Sequence, residues 1–274
     1  MPKGGGPVHE GIDAAWLAAE AEREPAVHAY AVWDLERAPA STRFVVWEGP
    51  GGRRSYLLVW LGDPTAPIVH WIGDDPEDLP LLDAFPPDTS VAVVPVRAMD
   101  AIRRRFTVAN AEPLLILQRP KGLTLPLIGR APAVRLAPDR AEELRAFAER
   151  YPEMLTRPYR SIDLAVERVW GSYEASSLLG VARVTVALPR IWIVSGVFVA
   201  PSARGKRHGR ALTVAATAES QRADADAGLF VREQNEPAVR LYRSLGYRPV
   251  ARRFWVEFSR TGPSSPGTSG RPGG

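Results

Sequence analysis

The chain has 274 residues, 45% of them hydrophobic, which is enough for one large domain or two domains of roughly 130 residues each. It contains no cysteine, which excludes disulfides, thiolate catalysis and cysteine-ligated metal sites, and its four histidines are too widely spaced for a metal motif. Residues 1–130 carry 13 Lys/Arg against 17 Asp/Glu (net −4), whereas residues 131–274 carry 22 against 14 (net +8). We therefore expect no metal, and an anionic ligand bound to the second half.

Neither end of the chain has the composition of a folded segment. Residues 1–11 lack the apolar region of a secretory signal, and residues 259–274 are rich in Gly, Pro and Ser. No apolar run approaches the roughly 18 residues that a membrane span needs. We expect both ends to be disordered, no association with membranes, and a cytoplasmic protein.

Residues 12–119 are predicted to form the first domain. Good helix formers fill residues 12–36, and Pro25 should divide them into two helices. The β-branched and aromatic segments that follow predict strands, and one helical segment separates the last two of them. The predicted strands are 43–48, 55–61, 68–72, 90–96 and 113–118, with a helix over 98–106.

A linker is predicted at residues 120–132, where Pro and Gly interrupt the hydrophobic pattern, and a second domain over residues 133–258. Asp139 and Glu142 have the spacing of a capping pair for a helix. The pattern predicts an α/β domain with a mainly antiparallel sheet. Its strands are expected at 133–136, 168–174, 178–187, 191–200, 227–232 and 252–258, and its helices at 140–150, around 161–166, 209–223 and 236–245.

The two halves share one pattern. Residues 43–62 and 167–186 each have a strand–turn–strand layout of about 20 residues with Val, Trp and Leu at matching positions. An ancient duplication would produce this, and so would the general likeness of any two β-hairpins.

The most informative segment is VFVAPSARGKRHGRA, residues 197–211. An apolar strand stops at Pro201, a basic turn containing glycine follows, and a helix begins near Gly209 without an acidic residue. The N–H groups and partial positive charge of a helix N-terminus suit a pyrophosphate. By itself the segment is also compatible with a solvated loop or a nucleic-acid contact. Its candidate ligand-binding residues are Arg204, Gly205, Lys206, Arg207, His208, Gly209 and Arg210.

A second motif follows at residues 235–247, NEPAVRLYRSLGY. In this order, the two motifs resemble those of the GNAT N-acetyltransferase superfamily, whose cofactor loop reads Q/R-x-x-G-x-G/A. The resemblance covers the second half and implies an α/β fold of two tandem GNAT-like domains, with acetyl-CoA as cosubstrate. It further implies transfer of an acetyl group to a primary amine of a small molecule or peptide. Arg207 departs from the pattern, because it stands where the family has its middle glycine.

The resemblance also implies roles for single residues. Tyr242 would protonate the departing CoA thiolate, and Asn235, an N-cap by its position, would contact the pantetheine arm. The family opens a wedge between the strands equivalent to 191–200 and 227–232, and pantetheine hydrogen-bonds the first of them, here near Phe198 and Val199. Many members carry a catalytic glutamate on that strand, where this chain has Ser195 and Gly196. Glu174 and Glu233, each at a strand end, are the alternative bases.

Two other function classes remain open. The departure at Arg207 and the missing glutamate would suit a non-catalytic CoA-binding module. The +8 charge of the second half would suit a nucleic-acid-binding protein, but the acidic first half and the lack of aromatic residues among the basic ones disfavour it.

The first half is expected to be a degenerate GNAT-like domain that binds no CoA. Between its predicted strand and helix, residues 96–105 contain no glycine, and Asp100 near the helix start would repel a phosphate. We therefore expect one CoA per chain, and a fragment of residues 131–258 that binds CoA by itself.

Overall fold

The computed structural model describes residues 6–63, 66–126, 133–151, 154 and 163–259. Within these ranges the longest helix has 15 residues, and no helix is both long and apolar enough to cross a bilayer. The helices are α1 (Ala14–Arg23), α2 (Pro25–Arg37), α3 (Met99–Arg105), α4 (Ala141–Arg150), α5 (His208–Arg222) and α6 (Glu236–Ser244). The strands are β1 (Val8–Glu10), β2 (Thr42–Glu48), β3 (Arg54–Trp60), β4 (Ile68–Ile72), β5 (Val91–Pro95), β6 (Val108–Arg119), β7 (Ala133–Arg135), β8 (Arg168–Glu174), β9 (Ser177–Ala187), β10 (Ile191–Val199), β11 (Asp226–Arg232) and β12 (Arg248–Phe258).

These strands join in one sheet with the order β1-β2-β3-β4-β5-β12-β6-β11-β10-β9-β8-β7. The order is symmetric: each half contributes five strands in sequence from its own edge, and the last strands of the two halves lie together in the middle. Among the strands of the described residues, only β4–β5 and β10–β11 pair in parallel, and they occupy equivalent places in the two halves. The hairpins β2–β3 and β8–β9 are equivalent as well, which supports the duplication reading of the sequence repeat.

The two central strands are exchanged between the halves. β6 of the first half pairs with β11 on one side and β12 on the other, and β12 in turn pairs with β5. Alternate residues of β6 belong to different hydrophobic cores. Leu115 and Leu117 pack in the core beneath α5 and α6, and Ile116 packs in the core on the opposite face of the sheet. The predicted linker therefore follows a strand that completes the sheet of the second half.

The ends of several elements differ from the prediction. Val8–Glu10 pairs with β2, so the fold begins before residue 12, where we expected it to start. The capping pair of Asp139 and Glu142 does not form: a 3₁₀ turn begins at Pro138, and the N-cap of α4 is Arg140, without a side-chain hydrogen bond. In the helix expected around 161–166, residues 161 and 162 lie outside the described ranges, and 164–166 form a turn.

The two faces of the sheet carry different helices. α5 and α6 pack on one face of the strands of the second half, in a core that includes Leu212, Val214 and Leu229. α1 and α2 pack on the opposite face, where Ala26 and Ala29 belong to one core with Ile191 and Ile193 of β10. A helical pair from the first half therefore covers strands of the second half.

Candidate functional site

β10 and β11 part from one another shortly after they begin. Their parallel pairing joins Ile191–Ile193 to residues 226–228 only. A β-bulge then interrupts β10 between Ser195 and Phe198, and Gly196 has a φ of +56°. Since bulges bend the strand that contains them, β10 turns away while β11 continues along β6 to Arg232. The gap is the wedge that the resemblance implies.

The end of β10 turns its main chain toward this gap. The Ala200 N–H donates to the Leu179 carbonyl of β9 at 2.8 Å. Because hydrogen-bonding direction alternates along an antiparallel pair, the N–H and C=O of Val199 point away from β9. The Val199 carbonyl accepts a hydrogen bond from Nε of Arg204 at 3.2 Å. This strand edge therefore offers polar main-chain groups to a ligand.

The loop after β10 presents the start of α5. A 3₁₀ turn over Pro201–Ala203 leads to Gly205, with a φ of +79°, and to Arg207, with a φ of +73°. Arg207 is the N-cap of α5 but makes no side-chain capping bond, and the first turn contains no acidic residue. The first N–H groups of α5 are thus left for a ligand. A non-glycine residue at this φ costs on the order of 1 kcal/mol.

A cavity of about 800 Å³ occupies the gap and the loop surface. It brings together Tyr242 and all the predicted cofactor-binding residues except Lys206, whose Nζ lies 3.4 Å from Glu174 Oε2 on the exposed surface. Five of the lining residues were not predicted. Each lies within or next to one of the two sequence motifs, and this position could have identified them. The cavity is lined by Val197, Phe198, Val199, Ala203, Arg204, Gly205, Arg207, His208, Gly209, Arg210, Asn235, Pro237, Ala238, Leu241 and Tyr242.

The sequence analysis counted His208 among the candidate ligand-binding residues of the loop. The imidazole is buried, and Nδ1 lies 2.8 Å from the Oγ of Ser172, a buried residue of β8. His208 is the first residue of α5, so its N–H group faces the ligand end of the helix. The residue contributes a main-chain donor to the site and a side chain to the interior.

α6 places Asn235 and Tyr242 on the other wall. Asn235 is the N-cap, and its Oδ1 accepts a hydrogen bond from the Ala238 N–H at 3.3 Å, as the sequence predicted. Two turns later Tyr242 is buried between α6 and the sheet, and burial raises its pKa to about 12. The phenol is therefore protonated at neutral pH and can donate a proton or a hydrogen bond.

The lining has three arginines, at 204, 207 and 210, and among its described residues no carboxylate. Neither proposed base is among the residues that line the cavity; Glu174 pairs with Lys206, and Glu233 pairs with Arg252 at 2.7 Å. Across the part of the chain that the structure describes, no three histidines or carboxylates are grouped to hold a metal ion. The cavity is suited to a polyanion.

The equivalent loop of the first half is acidic instead of basic. The order of elements equates β4 with β10, so the equivalent loop begins at Gly73, not at residues 96–105, which we compared from sequence. Asp74, Asp75 and Glu77 follow, and a 3₁₀ turn over Leu79–Ala84 replaces the helix. Asp78 is buried there, 2.5 Å from Arg97 Nη2 and 3.1 Å from Trp71 Nε1. This acidic turn is unsuited to a phosphate.

Residues 138–247 match the model of the acetyltransferase (GNAT) family. They form a GNAT acetyltransferase domain. No curated protein is similar enough in sequence to count as a relative. In the GNAT domain, the site just described occupies the two motifs that the sequence analysis identified.

Solved structures extend the likeness to the whole chain. A GCN5-related N-acetyltransferase-like protein from Streptococcus suis is 13% identical, with a TM-score of 0.59 over 90% of this chain and 100% of its own. A GCN5-related N-acetyltransferase from Kribbella flavida is 22% identical, with a TM-score of 0.54 over 90% and 96%. A tandem GNAT protein from the clavulanic acid biosynthesis pathway is 18% identical, with a TM-score of 0.51 over 92% and 98%. These likenesses confirm the predicted fold of two tandem GNAT-like halves.

Proposed function

We propose that the GNAT domain transfers an acetyl group from acetyl-CoA to a primary amine of a small molecule or peptide, by direct attack. One observation carries the proposal. A single cavity joins a basic helix N-terminus, an open strand edge and a protonated tyrosine, three features that suit the pyrophosphate, the pantetheine and the thioester of acetyl-CoA.

The loop and strand would hold the cofactor. The N–H groups at the start of α5 and the guanidinium groups of Arg204, Arg207 and Arg210 form a positive surface for the pyrophosphate. The main chain at Val199 and the amide of Asn235 would hydrogen-bond the pantetheine arm. These contacts fix the thioester at the gap between β10 and β11.

Tyr242 would stabilise the sulfur as it leaves. Its pKa of about 12 exceeds the value of about 8.5 that is usual for a thiol. Because the phenol is the weaker acid, its proton stays mainly on the tyrosine oxygen while the hydroxyl donates a hydrogen bond to the developing thiolate. The C–S bond breaks with its electron pair on sulfur, and the thiol is completed by a proton that Tyr242 passes on and regains from solvent.

A non-catalytic CoA-binding module is the second candidate, favoured by the lack of a carboxylate among the described residues that line the cavity. Both candidates bind CoA, so only turnover separates them. Release of CoA from acetyl-CoA that depends on an added amine supports the enzyme; binding without turnover across a broad amine panel supports the module.

The placement of the cofactor is tested by titration calorimetry on Gly209→Asp, with Gly209→Asn as the matched control. A Cβ at Gly209 would meet only Leu241 and Val199, each at 3.6 Å, so the protein itself has room for a side chain. Both variants add the same bulk, but only Asp places a negative charge at the start of α5. We expect CoA affinity at least tenfold weaker for Asp than for Asn. Equal affinities would reject this placement.

A further inference from the structure

The beginning of α5 lies over one row of residues in the sheet. In this row Gly180 of β9 pairs with Ser172 of β8 on one side and with Val199 of β10 on the other. A Cβ at Gly180 would come within 3.1 Å of Leu212 Cδ1, so the missing side chain lets α5 approach the sheet closely. At the other end of the row, a Cβ at Gly209 would lie 3.6 Å from Val199 Cγ2. The beginning of α5 therefore packs directly on β9 and β10.

A buried polar contact joins the beginning of α5 to the third strand of this row. His208 is the first residue of α5, and its Nδ1 lies 2.8 Å from Oγ of Ser172, within hydrogen-bond distance. The exposed fractions of the two residues are only 4% and 0%. A buried hydrogen bond is costly to break, because each group is then left without a partner. The contact therefore holds the first residue of α5 at one place over β8.

The loop that precedes α5 needs such a restraint. Arg207 is the N-cap of α5 at a φ of +73°, and it makes no side-chain capping bond. The ion pair of Lys206 with Glu174 is exposed on both sides, and exposed pairs contribute at most about 1 kcal/mol. A residue in a strained backbone conformation keeps it only where the surrounding structure holds it there. The buried contact of His208, one residue after Arg207, supplies this restraint.

Two parts of the cofactor site depend on where the beginning of α5 lies. Its N–H groups are the donors proposed for the pyrophosphate, and the main chain of Val199 is the partner proposed for the pantetheine arm. Both belong to one CoA molecule, so the two contacts form together only when the helix and the strand keep a fixed separation. Because Ser172 and Val199 lie in the same row of the sheet, a helix start that is held on Ser172 is also fixed relative to Val199.

We propose that Ser172 is a positioning residue of the cofactor site: it holds His208, and with it the first N–H groups of α5, in the place that CoA requires. The inference rests on the proposed function. It gives a role in cofactor binding to a residue of β8 that lies outside both sequence motifs and is not among the described residues that line the cavity. Without the contact, the beginning of α5 is correctly placed for only part of the time, and the apparent affinity for CoA falls by that fraction.

The test measures CoA affinity by calorimetry on the full chain with Ser172→Ala, His208→Leu and His208→Asn. Alanine removes the hydroxyl and leucine removes Nδ1, whereas the amide of asparagine keeps a polar group close to the place of Nδ1. We expect CoA to bind about tenfold more weakly to Ser172→Ala and to His208→Leu. His208→Asn should stay within threefold of the wild type, because it can retain the contact with Ser172.

The double variant Ser172→Ala/His208→Leu tests whether the two side chains act as one unit. If they do, the double variant should bind CoA about as weakly as either single variant, because the contact can be lost only once. Losses of affinity that multiply in the double variant would show two separate effects and would overturn the inference. If Ser172→Ala does not fold, the comparison of His208→Asn with His208→Leu decides by itself.

Thr217→Val, on the same helix, separates positioning from a general loss of stability. Thr217 is buried, its Oγ1 lies 2.7 Å from the Tyr247 hydroxyl, and it is not among the residues that line the cavity. This variant should lower the melting temperature about as much as Ser172→Ala and leave CoA affinity unchanged. For any amine that the wild type acetylates, Ser172→Ala should raise the KM for acetyl-CoA and keep kcat within twofold. Equal losses of CoA affinity in Thr217→Val and Ser172→Ala would overturn the inference in favour of a purely structural role.

The outcomes also distinguish the two proposals. If the wild type binds CoA and Ser172→Ala binds it equally well, Ser172 has no positioning role, and the proposed function stands. If the wild type binds CoA but acetylates no amine, the proposed transfer fails, and calorimetry still decides the role of Ser172. If the wild type binds no CoA, both proposals fail.

Discussion

Arg207 adopts a backbone conformation that glycine reaches more easily, at the start of the helix that faces the cofactor cavity. Its φ of +73° explains why the resembling family places glycine here. The arginine costs about 1 kcal/mol in backbone strain, and it adds a positive charge beside the predicted pyrophosphate. At this position, affinity for an anion and local backbone preference oppose one another.

For Arg207→Gly we therefore expect opposite effects on stability and binding. Relief of strain should keep the free energy of unfolding equal to or above that of the wild type, although glycine adds freedom to the unfolded chain. CoA affinity should fall about three- to tenfold through loss of one cation, roughly 1 kcal/mol. Lys206→Gly is the control, since Lys206 has no positive φ and does not line the cavity. Urea unfolding and calorimetry give both values; equal destabilisation by the two glycines would contradict the argument.

Tyr242 should affect turnover without affecting cofactor binding. In Tyr242→Phe the ring still fills the core between α6 and the sheet, but no donor meets the leaving sulfur. We expect kcat to fall ten- to a thousand-fold with acetyl-CoA affinity unchanged.

Tyr247→Phe is the matched control for that experiment. Its hydroxyl is buried and lies 2.7 Å from Thr217 Oγ1, outside the cavity. This variant should lose about 1 kcal/mol of stability and keep its turnover. Full activity in Tyr242→Phe would mean that water protonates the thiolate.

At the scale of elements, the exchange of β6 and β12 decides what can fold alone. β6 separates β11 from β12, and Arg119 at its end is buried, with Nε donating to the Leu245 carbonyl at 2.7 Å. A fragment that begins after residue 131 leaves both strands without their neighbour. The exchange therefore changes our expectation that such a fragment binds CoA.

We now predict that residues 133–259 expressed alone show no cooperative thermal transition and bind no CoA. Co-expression with residues 1–126 should restore both, because it returns β6 to the sheet and α2 to the opposite face. Circular dichroism and calorimetry on the fragment, the pair and the full chain make the comparison. A cooperative transition in the fragment alone would show that β6 is dispensable for the second half.

At the scale of the whole molecule, two similar halves have different surfaces at equivalent places. The loop after β10 carries arginines and leads into a 15-residue helix; the loop after β4 carries aspartates and leads into a 3₁₀ turn. The first half contributes α2 and β6 to the second instead of a second cofactor loop. The first half therefore supports the fold of the second half directly.

Calorimetry on the full chain should accordingly give one CoA per chain. In Gly209→Asp the heat of binding should be lost or strongly reduced, with no weaker second site left. The acidic turn after β4 would repel a pyrophosphate. A stoichiometry of two, or a site that is unaffected by Gly209→Asp, would mean that the first half binds CoA as well.

The sequence by itself determined most of the elements, and it named most of the residues that line the cavity. Apolar periodicity located α2, β4 and α5 to within a residue or two, because burial on one face leaves a local pattern. The loop residues and the N-cap at Asn235 follow one another along the chain, so their geometry is set locally. Pro25 divided α1 from α2 as expected, since proline cannot continue the first helix.

Only the tertiary structure decided which elements meet across the middle of the sheet. β6 is apolar on both faces and could pair with any buried strand, and its partner β11 lies more than 100 residues away along the chain. The inward turn of His208 depends on Ser172, which the chain order does not place beside it. Long-range pairing is decided by the free energy of the assembled core, which no single segment encodes.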